Sequence, residues 1–551
     1  MPSLRGPRQV RLVLLLLLLP VPAGAQDPAD ASATVRGLLA SARHPWARWP
    51  DFASYLNIVT RLYAGDGAPL WLDGIRLRPS GRAAIDQLLA ARDQGLDPRN
   101  YDAALLDSAA ARVEWSPASQ AERARFDVLL TLDLIRYLDD LRRGRLHRNP
   151  LGGRIGTPPP GDLAALVAGA AEGDTLARLV AAFEPPLPQY RHLRALLARY
   201  RLLEADTALG SLPPGPPARP GEPYPALARL RRTLVALRDL APDSAAGQPH
   251  RYEGATVAAV QRFQRRHALE PDGVVGRTTA EALNTPLSRR VEQIELALER
   301  LRWVPPIGPR PLLVVNIPAF HLVAFDSAAG AGTPSLGMRV VVGRALDRQT
   351  PVLLEELRYV EFRPYWNVSR SILIGEILPI LARRPDYLRA NAMEIVGARD
   401  RVLGDEATPA LLDRLRRGEL RVRQRPGPDN ALGLAKFVFP NAADVYMHGT
   451  PQTELFARSR RDFSHGCIRV EDPAGLARWV LRGDPEWTRE RIGAAMGGPR
   501  TTRVLLDRPI PVLVFYTTAV ARADGTAWFY PDIYGHDRAL AEALRAGPGP
   551  P

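Results

Sequence analysis

The sequence predicts a multidomain α+β protein with three parts: an N-terminal all-helical scaffold, a small three-helix domain, and a mostly-β C-terminal domain with a helical lid insertion. A length of 551 residues exceeds what one hydrophobic core usually serves. The hydrophobic pattern changes from helical spacing to strand-like runs near residue 312. The 44 glycines and 53 prolines fall short of the roughly 25–30% of residues that marks a disordered chain.

The charge is basic and is carried almost entirely by arginine. The formal net charge is +14, and of the 73 basic residues only Lys436 is a lysine. Two interpretations stay open: a coding bias towards arginine, or affinity for an anionic polymer such as nucleic acid or cell wall. The single cysteine, Cys467, excludes an intramolecular disulfide and the zinc sites that need two or four cysteines.

Residues 1–25 have the pattern of a secretory signal peptide. Arg5, Arg8 and Arg11 form a basic start, an apolar run covers residues 12–19, and residues 23–25 read Ala-Gly-Ala, a typical cleavage site. An uncleaved membrane anchor is the alternative. We expect an exported protein, in which a lone thiol is either a buried small hydrophobe or a reactive group.

Residues 30–245 carry apolar side chains at helical spacing, and we interpret them as the scaffold. Helices are clearest over residues 82–96 and 121–146, and the second is apolar on so many sides that we expect it to be buried. Proline-rich stretches punctuate the region. Its titratable residues form no group that suggests chemistry.

Residues 250–288 form a smaller helical unit, followed by a linking helix over 289–311. Val260 and Phe263 give one helix an apolar face, and Thr278 is expected to cap a second helix. The unit resembles the peptidoglycan-binding domain of the three-helix type. A generic helical hairpin is the alternative.

The C-terminal half has the hydrophobic pattern of a β domain, which we place at residues 312–505. Apolar strand-like runs recur through it, whereas residues 369–422 include a return to helical spacing and are predicted to form a lid. A C-terminal β/α extension is expected over residues 506–551.

Two short motifs in this half carry the candidate chemistry. Residues 446–450 read Tyr-Met-His-Gly-Thr, residues 464–470 read Ser-His-Gly-Cys-Ile-Arg-Val, and His448 and Cys467 are 19 positions apart. A free thiol titrates near 8.5, so a nucleophilic cysteine needs a neighbouring base such as an imidazole. Gly466 permits a tight turn, and the amides of Gly466 and Cys467 can face a developing oxyanion.

The motifs together resemble the L,D-transpeptidase catalytic domain of the YkuD family. Further stretches are similar to the larger murein L,D-transpeptidases of the YcbB type, which combine a helical scaffold, a peptidoglycan-binding insert and a lidded catalytic domain. These stretches include residues 316–318, 342–344, 350–351, 364–368 and 423–441. The resemblance therefore spans nearly the whole mature chain.

The resemblance also implies roles for single residues. Cys467 is expected to be the nucleophile and His448 its base, with the carbonyl of Gly449 orienting the imidazole. Gly466, His465 and Tyr446 are expected to form the oxyanion hole or to support the catalytic pair. The residues expected to bind substrate are Arg469, Trp366, Lys436 and Ser464. Alternatives stay open: a direct catalytic role for His465, a structural or a catalytic role for Arg469, core packing for Trp366, and chance survival of a lysine at position 436.

The implied activity is formation of 3→3 cross-links between peptidoglycan stem peptides through a Cys467 thioester. The family implies inactivation by carbapenem-type lactams, no metal or organic cofactor, and no nucleic-acid partner. We expect a periplasmic protein that contacts the membrane only if the signal segment is uncleaved, with other wall synthases as conceivable partners. Two alternatives remain: an L,D-carboxypeptidase using the same cysteine and histidine, and a non-catalytic wall-binding scaffold.

Overall fold

The computed structural model describes residues 28–65, 67–114, 118–146, 162–245, 250–328 and 334–547. The predicted signal peptide at residues 1–25 lies outside these ranges. Within them, no helix combines the length and the apolar character needed to cross a membrane.

The N-terminal region is helical, as predicted, and is built around one long buried helix. That helix, α5, begins with a capping box in which Ser119 and Glu122 bond each other's backbone amides, and its apolar residues face neighbours on all sides. A short hairpin of β1 (Leu72–Asp73) and β2 (Arg76–Leu77) lies among the helices. The helices are α1 Pro28–Ser41, α2 Leu56–Leu62, α3 Pro79–Leu89, α4 Ala103–Val113, α5 Gln120–Arg143, α6 Leu163–Glu172, α7 Leu176–Phe183 and α8 Pro188–Glu204.

The small domain packs three helices: α9 Leu227–Ala236, α10 Ala255–Arg266 and α11 Arg277–Leu283. Its hydrophobic cluster runs from Leu212 to Val275, so the packed unit starts well before the predicted boundary at residue 250. The buried side chain of Gln264 donates through its Nε2 to the carboxylate of Asp272, and its Oε1 accepts from the backbone amide of Gly273. These two bonds fix the turn after α10. Helix α11 is preceded by Gly276 rather than by the predicted cap, Thr278.

Helix α12 (Leu287–Arg302) links the small domain to the β domain and packs on α8 and α5. It carries arginines into the interior. The Arg300 guanidinium donates to the Asp537 carboxylate at 2.5 Å, and both residues are only 1% exposed. Asp537 belongs to the C-terminal helix α19 (His536–Ala546), so this pair joins the linking helix to the end of the chain.

The β domain is one sheet that closes on itself. Its strands run in the order β13-β5-β14-β12-β11-β6-β15-β3-β4, and β4 also pairs with β5. Closure leaves a buried interior lined by one face of the strands. The strands are β3 Leu312–Asn316, β4 His321–Phe325, β5 Leu336–Gly343, β6 Leu353–Phe362, β11 Ala435–Val438, β12 Met447–His448, β13 Asp462–Ser464, β14 Ile468–Val470 and β15 Thr502–Phe515. Helices α17 (Pro473–Val480) and α18 (Arg489–Gly497) follow β14.

The lid contains strands that the sequence analysis did not predict. Its helices are α13 Arg370–Ile372, α14 Leu378–Leu381, α15 Tyr387–Ala390 and α16 Pro409–Arg417, with a π-helical turn, Leu373–Ile377, joining α13 to α14. Its strands pair in the order β7-β10-β8-β9: β7 Trp366–Asn367, β8 Met393–Val396, β9 Val402–Gly404 and β10 Arg421–Gln424. Because these strands have four residues or fewer and β8 is buried on both faces, they show no alternating pattern.

The end of the β domain also differs from the prediction. Strand β15 runs unbroken from Thr502 to Phe515 and pairs with both β6 and β3, so a boundary at residue 505 would cut it. Its register with β6 shifts between Leu505 and Ile510, where polar residues interrupt the apolar pattern. A hairpin of β16 (Ala519–Ala521) and β17 (Ala527–Phe529) precedes α19.

The Arg300–Asp537 pair makes a testable contribution to stability. We expect Asp537→Ala to lower the free energy of unfolding by about 3–5 kcal/mol, because it leaves a buried guanidinium without its carboxylate. Asp413→Ala is the matched control, since Asp413 pairs with Arg416 at 2.7 Å on the surface, and we expect a loss of about 0–1 kcal/mol. Urea unfolding followed by far-UV circular dichroism measures both, and equal losses would contradict the prediction.

Candidate active site

Parallel pairing of β12 with β14 brings the two motifs together. Met447 pairs with Ile468, and the amide of Ile468 donates to the carbonyl of Tyr446 at 3.0 Å. Met447 and Ile468 are fully buried, so the residues that flank them, His448 and Cys467, project from the opposite face of the sheet. His448 and Cys467 are therefore diagonal neighbours on one face of the sheet.

His448 is held in one orientation by its own strand end. Its Nδ1 lies 2.6 Å from the carbonyl oxygen of Gly449, and because a carbonyl only accepts, Nδ1 carries the hydrogen and Nε2 keeps its lone pair. Burial, and then the charge of Arg469, lower the pKa of His448 to about 3. The ring is therefore neutral at physiological pH and is chemically suited to accept a proton at Nε2.

Cys467 is half-buried, and burial raises the pKa of its thiol. The carboxylate of Asp444 adds to the rise, whereas Tyr446 and the ammonium of Lys436 oppose it. The sulfur also lies 3.9 Å from the carbonyl oxygen of Asp444. In the free protein the pair therefore rests as a neutral thiol and a neutral imidazole.

The turn that presents Cys467 is closed by Ser464. The Ser464 hydroxyl donates to the carbonyl of Cys467 at 2.5 Å and accepts from the amide of Gly466 at 3.1 Å. Gly466 has a φ of +118°, which favours glycine. Ser464 is 2% exposed and works inside the turn, which corrects its predicted contact with substrate. Since the Gly466 amide is engaged, the amide of Cys467 remains as the candidate oxyanion donor.

Thr350 braces this turn from a neighbouring loop. Its hydroxyl donates to the carbonyl of Gly466 at 2.8 Å and accepts from the amide of Gly343 at 2.8 Å. The phenol of Tyr534 in turn donates to the carbonyl of Gly343 at 2.6 Å. Thr350 appeared in the sequence only as part of a resembling stretch, and Tyr534 lies about 70 positions beyond the motif, where no local signal marks it.

Asp444 is a second residue that the sequence analysis missed. It lies in the loop before β12 with a φ of +51°. Asn441 organises that loop, because its side-chain amide donates to the carbonyls of Phe439 and Val445 at 2.7 and 2.6 Å. Asn441 was quoted only in a resembling stretch, and it is the one local hint that this loop has a defined shape.

Arg469 lies on the same face and pairs in register with His448. Its guanidinium donates to the side chain of Gln452 at 2.7 Å, in the segment that follows the His-Gly-Thr motif. The geometry therefore gives Arg469 a bracing contact and a positive charge close to the imidazole.

Trp366 lies in the lid. It occupies β7 and packs against the lid's own hydrophobic cluster, which includes Leu373, Leu388 and Val422. The packing contacts of Trp366 are thus with lid residues, and contact with substrate stays a prediction.

His465 connects the catalytic turn to the lid. Its Nε2 contacts the carboxylate of Glu376, which lies on the π-helical turn of the lid. The same carboxylate oxygen is 3.5 Å from a guanidinium nitrogen of Arg348, in the loop that leads to Thr350. Glu376 is therefore the point at which the lid touches both segments that shape the turn.

Comparisons with known proteins agree with this architecture. Residues 57–197 match a "Scaffold domain" model, residues 225–283 a "Putative peptidoglycan binding domain" model, and residues 310–488 the YkuD model, described as the L,D-transpeptidase catalytic domain. A "Putative L,D-transpeptidase" of Haemophilus influenzae is 32% identical over 256 residues, covering 46% of this chain and 50% of that protein. The chain thus spans about half the length of this relative.

A solved structure was also found: an L,D-transpeptidase (residues 123–326) from Xylanimonas cellulosilytica, at 17% identity and a TM-score of 0.16, covering 55% of this chain and 100% of that one. The matched models define the chain as a multidomain protein that begins with a scaffold region. It contains a YkuD-family L,D-transpeptidase catalytic domain together with a peptidoglycan-binding domain. The resemblance of these two regions to the YkuD catalytic domain and to a peptidoglycan-binding domain, noted from the sequence, is confirmed.

The protonation states of the pair predict a distinctive pH profile. Because the thiol pKa is raised and His448 stays neutral above about pH 3, alkylation of Cys467 by iodoacetamide should rise through the alkaline range, with no step near pH 6.5. Intact mass measures it cleanly, since the chain has one cysteine. The urea-unfolded chain, where a thiol titrates near 8.5, is the control. A folded midpoint at or below the unfolded one would contradict the prediction.

The contacts of Glu376 predict that it restrains the lid. Glu376→Gln keeps the shape of the side chain and removes its charge. We expect amide hydrogen exchange over residues 370–381 to accelerate about two- to fivefold, because exposed ionic contacts contribute little stability each. Glu406→Gln is the matched control, because Glu406 pairs with Arg389 within the lid at 3.2 Å. Identical exchange in Glu376→Gln and the unmodified protein would refute this role.

Proposed function

We propose that this protein is a peptidoglycan L,D-transpeptidase that forms 3→3 cross-links through a thioester on Cys467. The observation that carries the proposal is the β12–β14 pairing. This pairing supports a location of Cys467 and a neutral, oriented His448 on one face of the sheet. A thiol beside an imidazole with a free lone pair is the minimum that cysteine-based acyl transfer requires.

In the first step the thiol proton passes to Nε2 of His448 as the sulfur attacks the carbonyl of the third stem residue, a diamino acid. The tetrahedral oxyanion faces the amide of Cys467. His448 then gives the proton to the amine nitrogen of the leaving D-alanine, the peptide bond breaks, and a thioester remains.

In the second step the side-chain amine of another stem attacks the thioester. Nε2 of His448 takes a proton from that amine, the new amide bond forms, and the sulfur leaves and regains its proton from His448. Lid closure would exclude water and favour the amine over hydrolysis. The lid's contact with His465 through Glu376 supports this role.

The small domain supports peptidoglycan as the substrate. A wall-binding unit attached to the catalytic domain raises the local concentration of stems without new contacts at the active site. A protein that acts on peptidoglycan is located outside the cytoplasm, and we propose the periplasm of a diderm bacterium. Arg469 and Lys436 remain candidate substrate contacts, and other wall synthases remain candidate partners.

The cross-linking activity is tested with purified tetrapeptide muropeptides and mass analysis of the products. We expect dimers with a 3→3 linkage, none of them with Cys467→Ala, and a rate about 10²–10⁴-fold lower with His448→Ala, because the base is lost. His250→Ala is the control histidine, since His250 is exposed in the small domain, and it should leave the rate unchanged.

Each alternative has its own outcome in that experiment. Tripeptide without dimer would mean hydrolysis, and the protein would be an L,D-carboxypeptidase. Absence of any product, together with absence of a carbapenem adduct on intact mass, would mean a non-catalytic wall-binding scaffold. Dimers made by Cys467→Ala would refute the thioester mechanism.

A further inference from the structure

Lys436 occupies a row of polar residues that crosses the sheet. It pairs with His448 of β12 on one side and with Glu361 of β6 on the other. Its neighbour Phe437 is fully buried, as are Met447 and Val360 opposite Phe437, so Lys436 projects from the same face as His448. Arg469 lies at one end of the row and the exposed Arg503 at the other.

The ammonium of Lys436 lies against the aromatic ring that adjoins the nucleophile. Its Nζ is 3.9 Å from the centre of the Tyr446 ring, a cation–π distance. Tyr446 stands level with Cys467 across the β12–β14 pairing, because the Ile468 amide bonds the Tyr446 carbonyl. The Tyr446 ring therefore contacts the ammonium and lies on the same face as the sulfur.

The charges that face Lys436 come from several elements. Burial has the largest effect and lowers the pKa of Lys436, and Arg503 of β15 adds to this, whereas Glu361 of β6, Asp444 of the loop before β12, and Cys467 oppose it. A compact ammonium meets the ring face directly, whereas a guanidinium is broad and planar. This is consistent with a lysine at this one position among 72 arginines.

The site needs a cation near the sulfur for a physical reason. In many cysteine enzymes an imidazolium stabilises the thiolate, but His448 is buried and neutral. The carboxylate of Asp444 works against ionisation of the thiol. A positive charge that does not depend on protonation of His448 can offset both effects.

We propose that Lys436 is a positioning residue that acts through Tyr446 to stabilise the Cys467 thiolate as it forms. It does not touch the substrate in this role: the ring holds the ammonium in place, and the positive charge acts on the sulfur through space. The proposal rests on the proposed function in one respect, that Cys467 is the nucleophile whose ionisation matters.

The test is the pH profile of Cys467 alkylation by iodoacetamide in the full mature chain, without substrate. We expect Lys436→Met to raise the midpoint by about one unit, which is a rate about tenfold lower near pH 8. Because Lys436 and Cys467 titrate as a pair, the difference should shrink at the alkaline end, where the unmodified protein loses the ammonium. Lys436→Arg should recover only part of the rate.

Arg503→Met is the matched control. It removes the same charge from the far end of the row, where Arg503 pairs with Glu361, and its midpoint should not rise, because loss of Arg503 favours the charged form of Lys436. Tyr446→Leu provides a second route if Lys436→Met does not fold, and it should also raise the midpoint.

A folded Lys436→Met, or in its place a folded Tyr446→Leu, with the midpoint of the unmodified protein would overturn the proposal. An equal shift in Arg503→Met would also overturn it, because the effect would then be net charge alone. The assay uses no peptidoglycan, so the thiolate role can fail while cross-linking stands, and can hold even in a protein that proves to be a hydrolase.

Discussion

The active site depends on the register of β12 against β14. A strand slip of one residue would exchange the two faces, turning His448 and Cys467 into the interior of the closed sheet and Met447 and Ile468 out of it. Full burial of those two apolar side chains in the closed sheet therefore fixes where the sulfur and the imidazole project. Local contacts then set the fine geometry: the carbonyl of Gly449 for the ring, and Ser464 for the turn.

Burial shapes the chemistry as much as position does. A site that lowers the pKa of His448 and raises that of the thiol keeps both groups uncharged in the free protein. Under the proposed mechanism, charge appears only as bonds change, in surroundings where fixed dipoles and charges act more strongly than in water. The arrangement makes the resting thiol weakly reactive, which explains why positive charge nearby would matter.

The sequence was most informative where the determinants are local. Cys467, His448 and Gly449 fall within short motifs, and the helices of the scaffold follow from hydrophobic spacing alone. Long-range contacts escaped it: Asp444 and Tyr534 meet the turn only through the fold, and Ser464 turned inward because its own hydroxyl closes that turn. The lid strands and the continuity of β15 were not predicted from the sequence, because short buried strands and a register shift leave no alternating hydrophobic pattern.

The C-terminal segment ties the scaffold to the catalytic turn. Arg300 of the linking helix holds Asp537 in the interior, and the Asp537 amide donates to the side chain of Asp532 at 3.1 Å. Tyr534 lies between these two acids in the sequence, and its hydroxyl donates to the carbonyl of Gly343. The amide of Gly343 in turn donates to the hydroxyl of Thr350, which bonds the carbonyl of Gly466. A buried charge pair is weak evidence for stability as such, since apolar packing can replace it, but it fixes one geometry. The pair therefore gives the end of the chain a defined position from which Tyr534 can set the turn that presents Cys467.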